Sequence, residues 1–326
     1  MIDGGATLAT LVVANIGTTC AEFAGIAAGS ELFGISRQVS VPAAAVIVSL
    51  LVLRGSFHRV EHVLLLLSTV FLAYIASGIL AGPDWGAAAR GLVVPSMPAT
   101  GAALAIVTAT VGTTLAPWGL SFIQSYAVDK KLRTDDLPLE RVDVVTGAVL
   151  TGVIGFFVVV ACAATLHENG LQITDAADAS RALEPLAGGA AATLFAIGLI
   201  GAALLAASVL PLSTAYSVCE YAGTEGAVDD SFKEARTFYV TFGAVTVAGA
   251  AAVLLPGVPL VTILVTTQIL NAVLLLPILI AMIGIARDRN LMGTFAVGRV
   301  GTVIYGLTTA VIAGCVVALA VTTVIG

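Results

Sequence analysis

Charge is the scarcest property of this sequence. Lys, Arg, Asp and Glu make up 10% of its 326 residues, where a soluble domain carries about a quarter. So few charges cannot cover a water-facing globule, which excludes a soluble fold. The basic residues are also outnumbered, 14 against 20 acidic ones, for a net charge of −6. They form no basic patch, which excludes a nucleic-acid partner. Cysteine is sparse: Cys20, Cys162, Cys219 and Cys315 fall in four different apolar runs. None has a close partner in sequence, so neither a disulfide framework nor a Cys-x-x-Cys metal site is indicated, and the thiols read as buried and inert. His58 and His62 have the i, i+4 spacing of metal ligands. They sit in a basic loop with Arg59 and Glu61 and no third ligand nearby, and read as interfacial. No nucleophile–base set, Walker loop or dinucleotide fingerprint occurs in a plausible context. The chain is therefore not expected to be an enzyme, and no cofactor is expected. Met1-Ile2-Asp3 lacks the basic start of a signal peptide, and the run after it is long enough to span a bilayer, so no cleaved leader is expected.

What the chain has in abundance is long apolar runs. Hydrophobic residues make up 59%, and the mean hydropathy is +1.06. This is the composition of an all-α polytopic membrane protein whose first partner is the lipid bilayer. A span needs about 20 apolar residues. About nine transmembrane helices are predicted, near 6–29, 39–55, 62–82, 99–127, 143–166, 186–221, 237–255, 260–285 and 299–324. Thr237 to Ala286 is fifty uncharged residues, too long for one span, and Pro256-Gly257-Val258-Pro259 supplies the turn that divides it. Pro211 either kinks the long sixth run, or its last turns protrude. With the N-terminus inside, eleven of the fourteen Lys and Arg lie on the inner side and only Arg37, Arg90 and Arg181 outside, the bias that sets orientation. The outer loop 167–185 carries Glu168, Asp175, Asp178 and Glu184. It reads as a solvated loop rather than a cation funnel, because salt screens exposed charges.

The longest membrane-class run contains a break. Gly91 to Val128 holds no charged residue, and at its centre lies Gly112-Thr113-Thr114-Leu115-Ala116-Pro117-Trp118-Gly119. Pro117 has no N–H, so the carbonyl of Thr113 loses its helical partner. Gly112 and Gly119 let the backbone leave helical geometry at little cost. Bare carbonyls at membrane depth are tolerated where they line a cavity or bind something, and a helix broken near the midplane is where transporters hold ions. Trp118, whose indole only donates, either walls this site or packs. Glu22 is the acidic residue deep inside a predicted span. It marks an ion path by default, or is a neutral acid bonded to a neighbouring helix. Glu220 and Asp143 lie near the inner ends of their spans and read as interfacial. A second polar cluster, Thr266-Thr267-Gln268-Ile269-Leu270-Asn271, falls mid-span. Gln268 and Asn271 share a helix face. Their carboxamide oxygens either ligate a hard cation or bond between helices. Gly147-Ala148, Gly188-Gly189-Ala190 and Gly201-Ala202-Ala203 read as close helix packing.

At these residues the chain resembles the NRAMP (natural resistance-associated macrophage protein) family of divalent-metal transporters, and more closely its magnesium-transporting relatives. The resemblance implies the inverted-repeat fold shared with the leucine transporter. Ala116-Pro117-Trp118 stands where the family has Met-Pro-His in its unwound sixth span. Glu22 with Leu32-Phe33-Gly34-Ile35 resembles the third span, Gln268 with Leu276-Pro277 the tenth, and Asn290-Leu291-Met292-Gly293 the following loop. The chain, 1–326, is thus expected to be a single membrane domain corresponding to the third to eleventh spans. The resemblance implies a metal site of Thr113, Ala116, Gln268 and Asn271. Gly112, Pro117, Trp118 and Gly119 form the break and its wall, and Glu22 and Thr19 stand beside the ion path. Ala116 in place of a soft methionine argues for a hydrated Mg²⁺ or Mn²⁺. Trp118 in place of the histidine, and Thr19 in place of an aspartate, argue against proton coupling. The family's Asp-Pro-Gly-Asn segment and its first two spans have no counterpart, so a truncated reading frame is expected.

The leading expectation is a bacterial cytoplasmic-membrane carrier of Mg²⁺, then Mn²⁺, acting as a monomer. A Na⁺-coupled amino-acid carrier of the same fold and a non-transporting remnant are the alternatives.

Overall fold

The computed structural model describes residues 4–53, 66, 69–94, 96–98, 100–129, 131–224, 226, 230–257 and 259–325. His58, His62, Arg54, Arg59 and Lys130 lie outside the described residues, as does part of the third predicted span. The principal helices are α1 (Gly4–Glu31), α2 (Arg37–Leu53), α3 (Ala73–Leu80), α4 (Gly101–Thr114), α5 (Pro117–Asp129), α6 (Leu137–Cys162), α7 (Ala191–Ala222), α8 (Arg236–Val253), α9 (Leu260–Arg287) and α10 (Arg299–Ile325). Among the described residues seven segments are long and apolar enough to cross a membrane, and α2 and Thr69–Leu80 are shorter apolar helices. Together they follow the nine runs expected from hydropathy. The divided fifty-residue run is α8 and α9, with Gly257 at φ +77° in the turn between them. Helix α7 continues through Pro211. At 1.5 Å per residue it is about 48 Å long, so its ends overhang a ~30 Å hydrocarbon core.

Helix α1 is the axis of the bundle. It packs against α2, α7, α8 and α9. It is also the most enclosed of the spans, although its hydropathy is modest. The reason is its small residues. A Cβ at Gly25 would sit 3.4 Å from Ala203 Cβ, and one at Gly29 would sit 2.8 Å from Ile200 Cγ1, both on α7. Backbones that close together bury the polar Asn15, Thr18 and Thr19 between helices. Phe23, Val41, Val48, Leu212 and Phe238 fill the main apolar core around them. Helices α6 and α10 are the opposite case. They expose Val144, Val149, Val303, Leu307 and Val311, as suits surfaces that meet lipid rather than water.

Of the three small-residue runs, the one at Ala203 packs closely against α1. Gly147 instead has open space beside it, because its face of α6 points outward, and Gly188 takes φ +50° in a turn before α7. Those two expectations of close packing are corrected. In the loop 167–185, Asp175 caps the helix Ala176–Ser180 by accepting from the Asp178 amide at 2.8 Å, and Asp178 accepts from Thr174 Oγ1 at 2.7 Å.

One packing contact gives a stability prediction. A Cβ at Gly249 on α8 would lie 2.7 Å from Thr19 Cγ2 and 3.1 Å from the Cys20 amide nitrogen. Gly249→Val is expected to destabilise the bundle by about 1–3 kcal/mol, the usual cost of overpacking. Thermal unfolding in detergent reads this. A melting temperature unchanged from wild type would show that α1 and α8 are not so closely packed.

Candidate functional site

The break is present and has the form the sequence predicts. Leu115 donates the last amide bond of α4 to Val111 at 3.2 Å, then leaves the helix at φ −117°, ψ 70°. Ala116 is non-helical, as a residue before proline tends to be. Pro117 is the first residue of α5, where a missing N–H costs nothing. Helical carbonyls point toward the C-terminus, so the end of α4 presents the Thr113 oxygen toward the break. The Ala116 carbonyl accepts from Gly119 N–H at 3.2 Å and keeps a second lone pair. The side chain of Thr113 is exposed, which leaves the backbone as its contribution.

The break sits against the second polar cluster. A Cβ at Gly112 would collide with the carbonyl oxygen of Gln268 and lie 2.7 Å from the Ala272 nitrogen. Only glycine lets α4 come this near α9. Gln268 and Asn271 do share a face: Asn271 Nδ2 donates to Gln268 Oε1 at 3.0 Å. The same Nδ2 donates to Thr18 Oγ1 on α1 at 2.8 Å. Thr18 lies 2.9 Å from the Ala14 carbonyl and 3.1 Å from Asn271 Oδ1. Its single hydroxyl hydrogen serves one of them at a time. Three helices thus meet at one level through Thr18, Asn271 and Gly112. The other side of the break is apolar: Leu115 and Leu120 pack with Leu275, Leu279 and Ile312.

Trp118 carries two roles. Its ring lies 6.4 Å from Phe122, which in turn faces Tyr216 at 6.2 Å on α7. Its carbonyl accepts from Ser121 Oγ at 3.0 Å and from Ser213 Oγ of α7 at 3.2 Å. Gly119 has open space beside it. Two of the expected residues stand apart. Thr19 is fully buried toward Gly249 of α8, and its hydroxyl has no partner among the described residues. Glu22 is half-buried on α1 and, among the described residues, its carboxylate has no hydrogen-bond partner.

Sequence reasoning missed Asn15. It is 1% exposed, donates through Nδ2 to Thr214 Oγ1 at 2.8 Å, and among the described residues its Oδ1 has no partner. Its signal was available: Asn15, Thr18 and Glu22 follow an i, i+3, i+7 pattern, one face of a helix. The sequence reading also took Glu220 as merely interfacial. Its carboxylate accepts from Ser125 Oγ at 2.7 Å and Gln124 Nε2 at 2.9 Å, joining α7 to α5.

A membrane bundle whose long apolar span is broken at a proline, with a polar helix closely packed beside the break, has the form of a solute carrier. The chain belongs to the natural resistance-associated macrophage protein-like family, whose profile matches residues 6–322. It is an integral membrane protein of that family and not an enzyme. It is 28% identical over 313 residues to a divalent metal cation transporter MntH of Granulibacter bethesdensis, covering 93% of this chain and 68% of the relative. A protein of the same name from Burkholderia ambifaria is 26% identical over 312 residues, with the same coverage. One from Yersinia pestis is 30% identical over 195 residues, 57% of this chain and 47% of the relative. The chain therefore spans about two thirds of the length of the first two and about half of the third.

Proposed function

We propose that this chain carries divalent metal cations across the bacterial cytoplasmic membrane, with hydrated Mg²⁺ first and Mn²⁺ second as substrate. The observation that carries the reading is the close approach of Gly112, just before the unwound Leu115-Ala116 segment, to the α9 backbone at Gln268, whose side chain bonds Asn271. The relatives named as divalent metal cation transporters support it. The donors there are amide and hydroxyl oxygens, which suit hard cations. Among the described residues no group of three or more His, Cys, Asp or Glu gathers to hold a softer or fully dehydrated ion. Thr113 and Ala116 offer backbone carbonyls, and Gln268 and Asn271 side-chain oxygens. Mg²⁺ retains several waters and needs few protein ligands. Glu22 adds negative potential along α1.

Movement is passive and driven by the membrane potential. Trp118 offers no proton acceptor, whereas a divalent ion gains about 4.6 kcal/mol per 100 mV, twice the single-charge value. The N-terminus of the chain is placed inside, the chain acts as a single membrane domain matching the family's third to eleventh spans, and it works as a monomer. Purified protein in liposomes is expected to take up Mg²⁺ and Mn²⁺ saturably, faster at inside-negative potential and without lumenal acidification. Flat traces for both metals would end this reading. Ala116→Met places a thioether at the break and is expected to favour Cd²⁺ over Mg²⁺ several-fold in competition assays. An unchanged preference would remove Ala116 from the site.

A further inference from the structure

A cavity of about 470 Å³ that shares no residue with the break lies where the ends of α3 and α6 meet the segment leading into α7. That volume is in the range of small-molecule sites, about 300–1,000 Å³. Its lining is mixed: Leu80, Leu166 and Leu171 are apolar, and Asn169, Arg181 and Glu184 are polar or charged. Arg181 opens a single 3₁₀ turn, Arg181–Leu183, and Glu184 follows it. Residues three apart in such a turn eclipse each other, so the opposite charges stand on one side. Between them Ala182 and Leu183 are fully buried, and the Ala182 carbonyl accepts from Ser77 Oγ of α3 at 2.7 Å. The segment is thus pinned to α3, which fixes both charges at the cavity. At the end of α6 a π turn, Ala163–His167, widens the helix. Asn169 Nδ2 then donates back to the Thr165 carbonyl at 2.7 Å, which leaves its Oδ1 to accept.

Neither charge is used up within the bundle. Among the described residues Arg181 meets Asp178 at 3.8 Å, too far for a hydrogen bond, and that carboxylate already accepts from Thr174 Oγ1 at 2.7 Å. Among the described residues the exposed Glu184 carboxylate has no ion pair or hydrogen bond. Depth gives the class of ligand. Helix α6 and its π turn run uncharged from Val144 to Leu166, about 34 Å at 1.5 Å per residue, which matches the ~30 Å hydrocarbon core. The Leu166 end, and the cavity with it, therefore lies at the level of lipid headgroups. Leu80 and Leu171 on the rim are exposed, apolar surface that acyl carbons would cover. The carboxylates of the same loop, Glu168, Asp175 and Asp178, repel a headgroup of net negative charge.

We propose that this cavity binds the headgroup of a phosphatidylethanolamine, a zwitterionic phospholipid of the surrounding bilayer. The Arg181 guanidinium takes the phosphate through its forked N–H donors. The lipid ammonium donates to the Glu184 carboxylate and to Asn169 Oδ1. A choline headgroup has no N–H to donate, and a glycerol headgroup leaves Glu184 without a cation, so ethanolamine is selected. The bound lipid ties the ends of α3 and α6 to the segment entering α7. Its binding does not depend on which ion the protein carries.

Native mass spectrometry of the full chain in detergent, titrated with phospholipids of identical tails, tests this. One phosphatidylethanolamine is expected to bind about tenfold more tightly than phosphatidylcholine or phosphatidylglycerol, the effect of one charge-assisted hydrogen bond. Glu184→Gln is expected to erase that preference, and Asn169→Ala to weaken it. Arg181→Gln is expected to weaken binding of all three lipids. Both charged side chains are exposed, so these variants are expected to unfold thermally like wild type in lipid-free detergent. Arg289→Gln, in the loop after α9, is the control and is expected to keep the wild-type preference. Equal binding of the three lipids by wild type, a preference for phosphatidylglycerol, or a preference that survives Glu184→Gln overturns the proposal. Glycerophosphoethanolamine, the same headgroup without tails, is expected to displace the lipid only at about hundredfold or higher excess, since it lacks the buried carbons. Displacement at equal concentration would assign the cavity to a soluble ligand and overturn the lipid. No flux enters these measurements, so the transport reading stands or falls separately.

Discussion

Gly112→Ala is expected to eliminate metal flux and to lower the melting temperature. The added methyl group would collide with the Gln268 carbonyl oxygen, and it would lie 2.7 Å from the Ala272 nitrogen and 3.1 Å from Ala272 Cβ. The first two are backbone atoms, which cannot rotate away. Helices α4 and α9 must therefore separate, at a cost of about 1–3 kcal/mol or more. The separation also draws Gln268 and Asn271 from the broken segment, so function fails even where the fold survives. Gly119→Ala is the control. Among the described residues nothing lies within 4 Å of its Cβ position, and alanine is the better helix former by about 0.5–1 kcal/mol. Thermal unfolding and liposome flux on both variants decide the matter. Equal behaviour at 112 and 119 would show that the α4–α9 approach is not the determinant.

The second large effect is expected at Asn271. Asn271→Leu removes the donor to Thr18 Oγ1 and to Gln268 Oε1. Each acceptor left unpaired in the interior costs about 1–3 kcal/mol. Pairing it with Thr18→Val removes two polar partners together, which recovers part of the stability because matched apolar groups can be nearly neutral. Metal affinity is not expected to recover, since the carboxamide is still absent. Titration calorimetry with Mn²⁺ alongside unfolding separates the roles. Stability and affinity recovered together would mean that Asn271 only ties α1 to α9.

The sequence located the break to the residue. Pro117 cannot donate and Ala116 precedes it, so the boundary between α4 and α5 follows from covalent chemistry whatever surrounds it. The Gln268–Asn271 pairing was legible for a similar reason, because a three-residue spacing puts both on one face of any helix. Asn15 was not singled out, although its spacing to Thr18 and Glu22 was visible. A lone asparagine in a span reads the same whether it is capped, paired or orphaned, and only the position of Thr214 distinguishes these. Thr19 shows the converse. Alignment with an acidic position drew it toward the ion path, but a 100° turn per residue carries it from the Thr18 side of α1 round to α8.

What the sequence determined by itself is the solvent and the class. So little charge, with apolar runs of span length, admits only a helical membrane protein, since lipid offers no partner for an unpaired backbone. It also set where the long run must break. The tertiary structure decided which polar groups meet. Small residues on α1 let α7, α8 and α9 close around it, and Gly112 lets α4 approach α9. These contacts join residues as far apart in the chain as Thr18 and Asn271. Such meetings depend on the packing distance between helices, which no local pattern encodes.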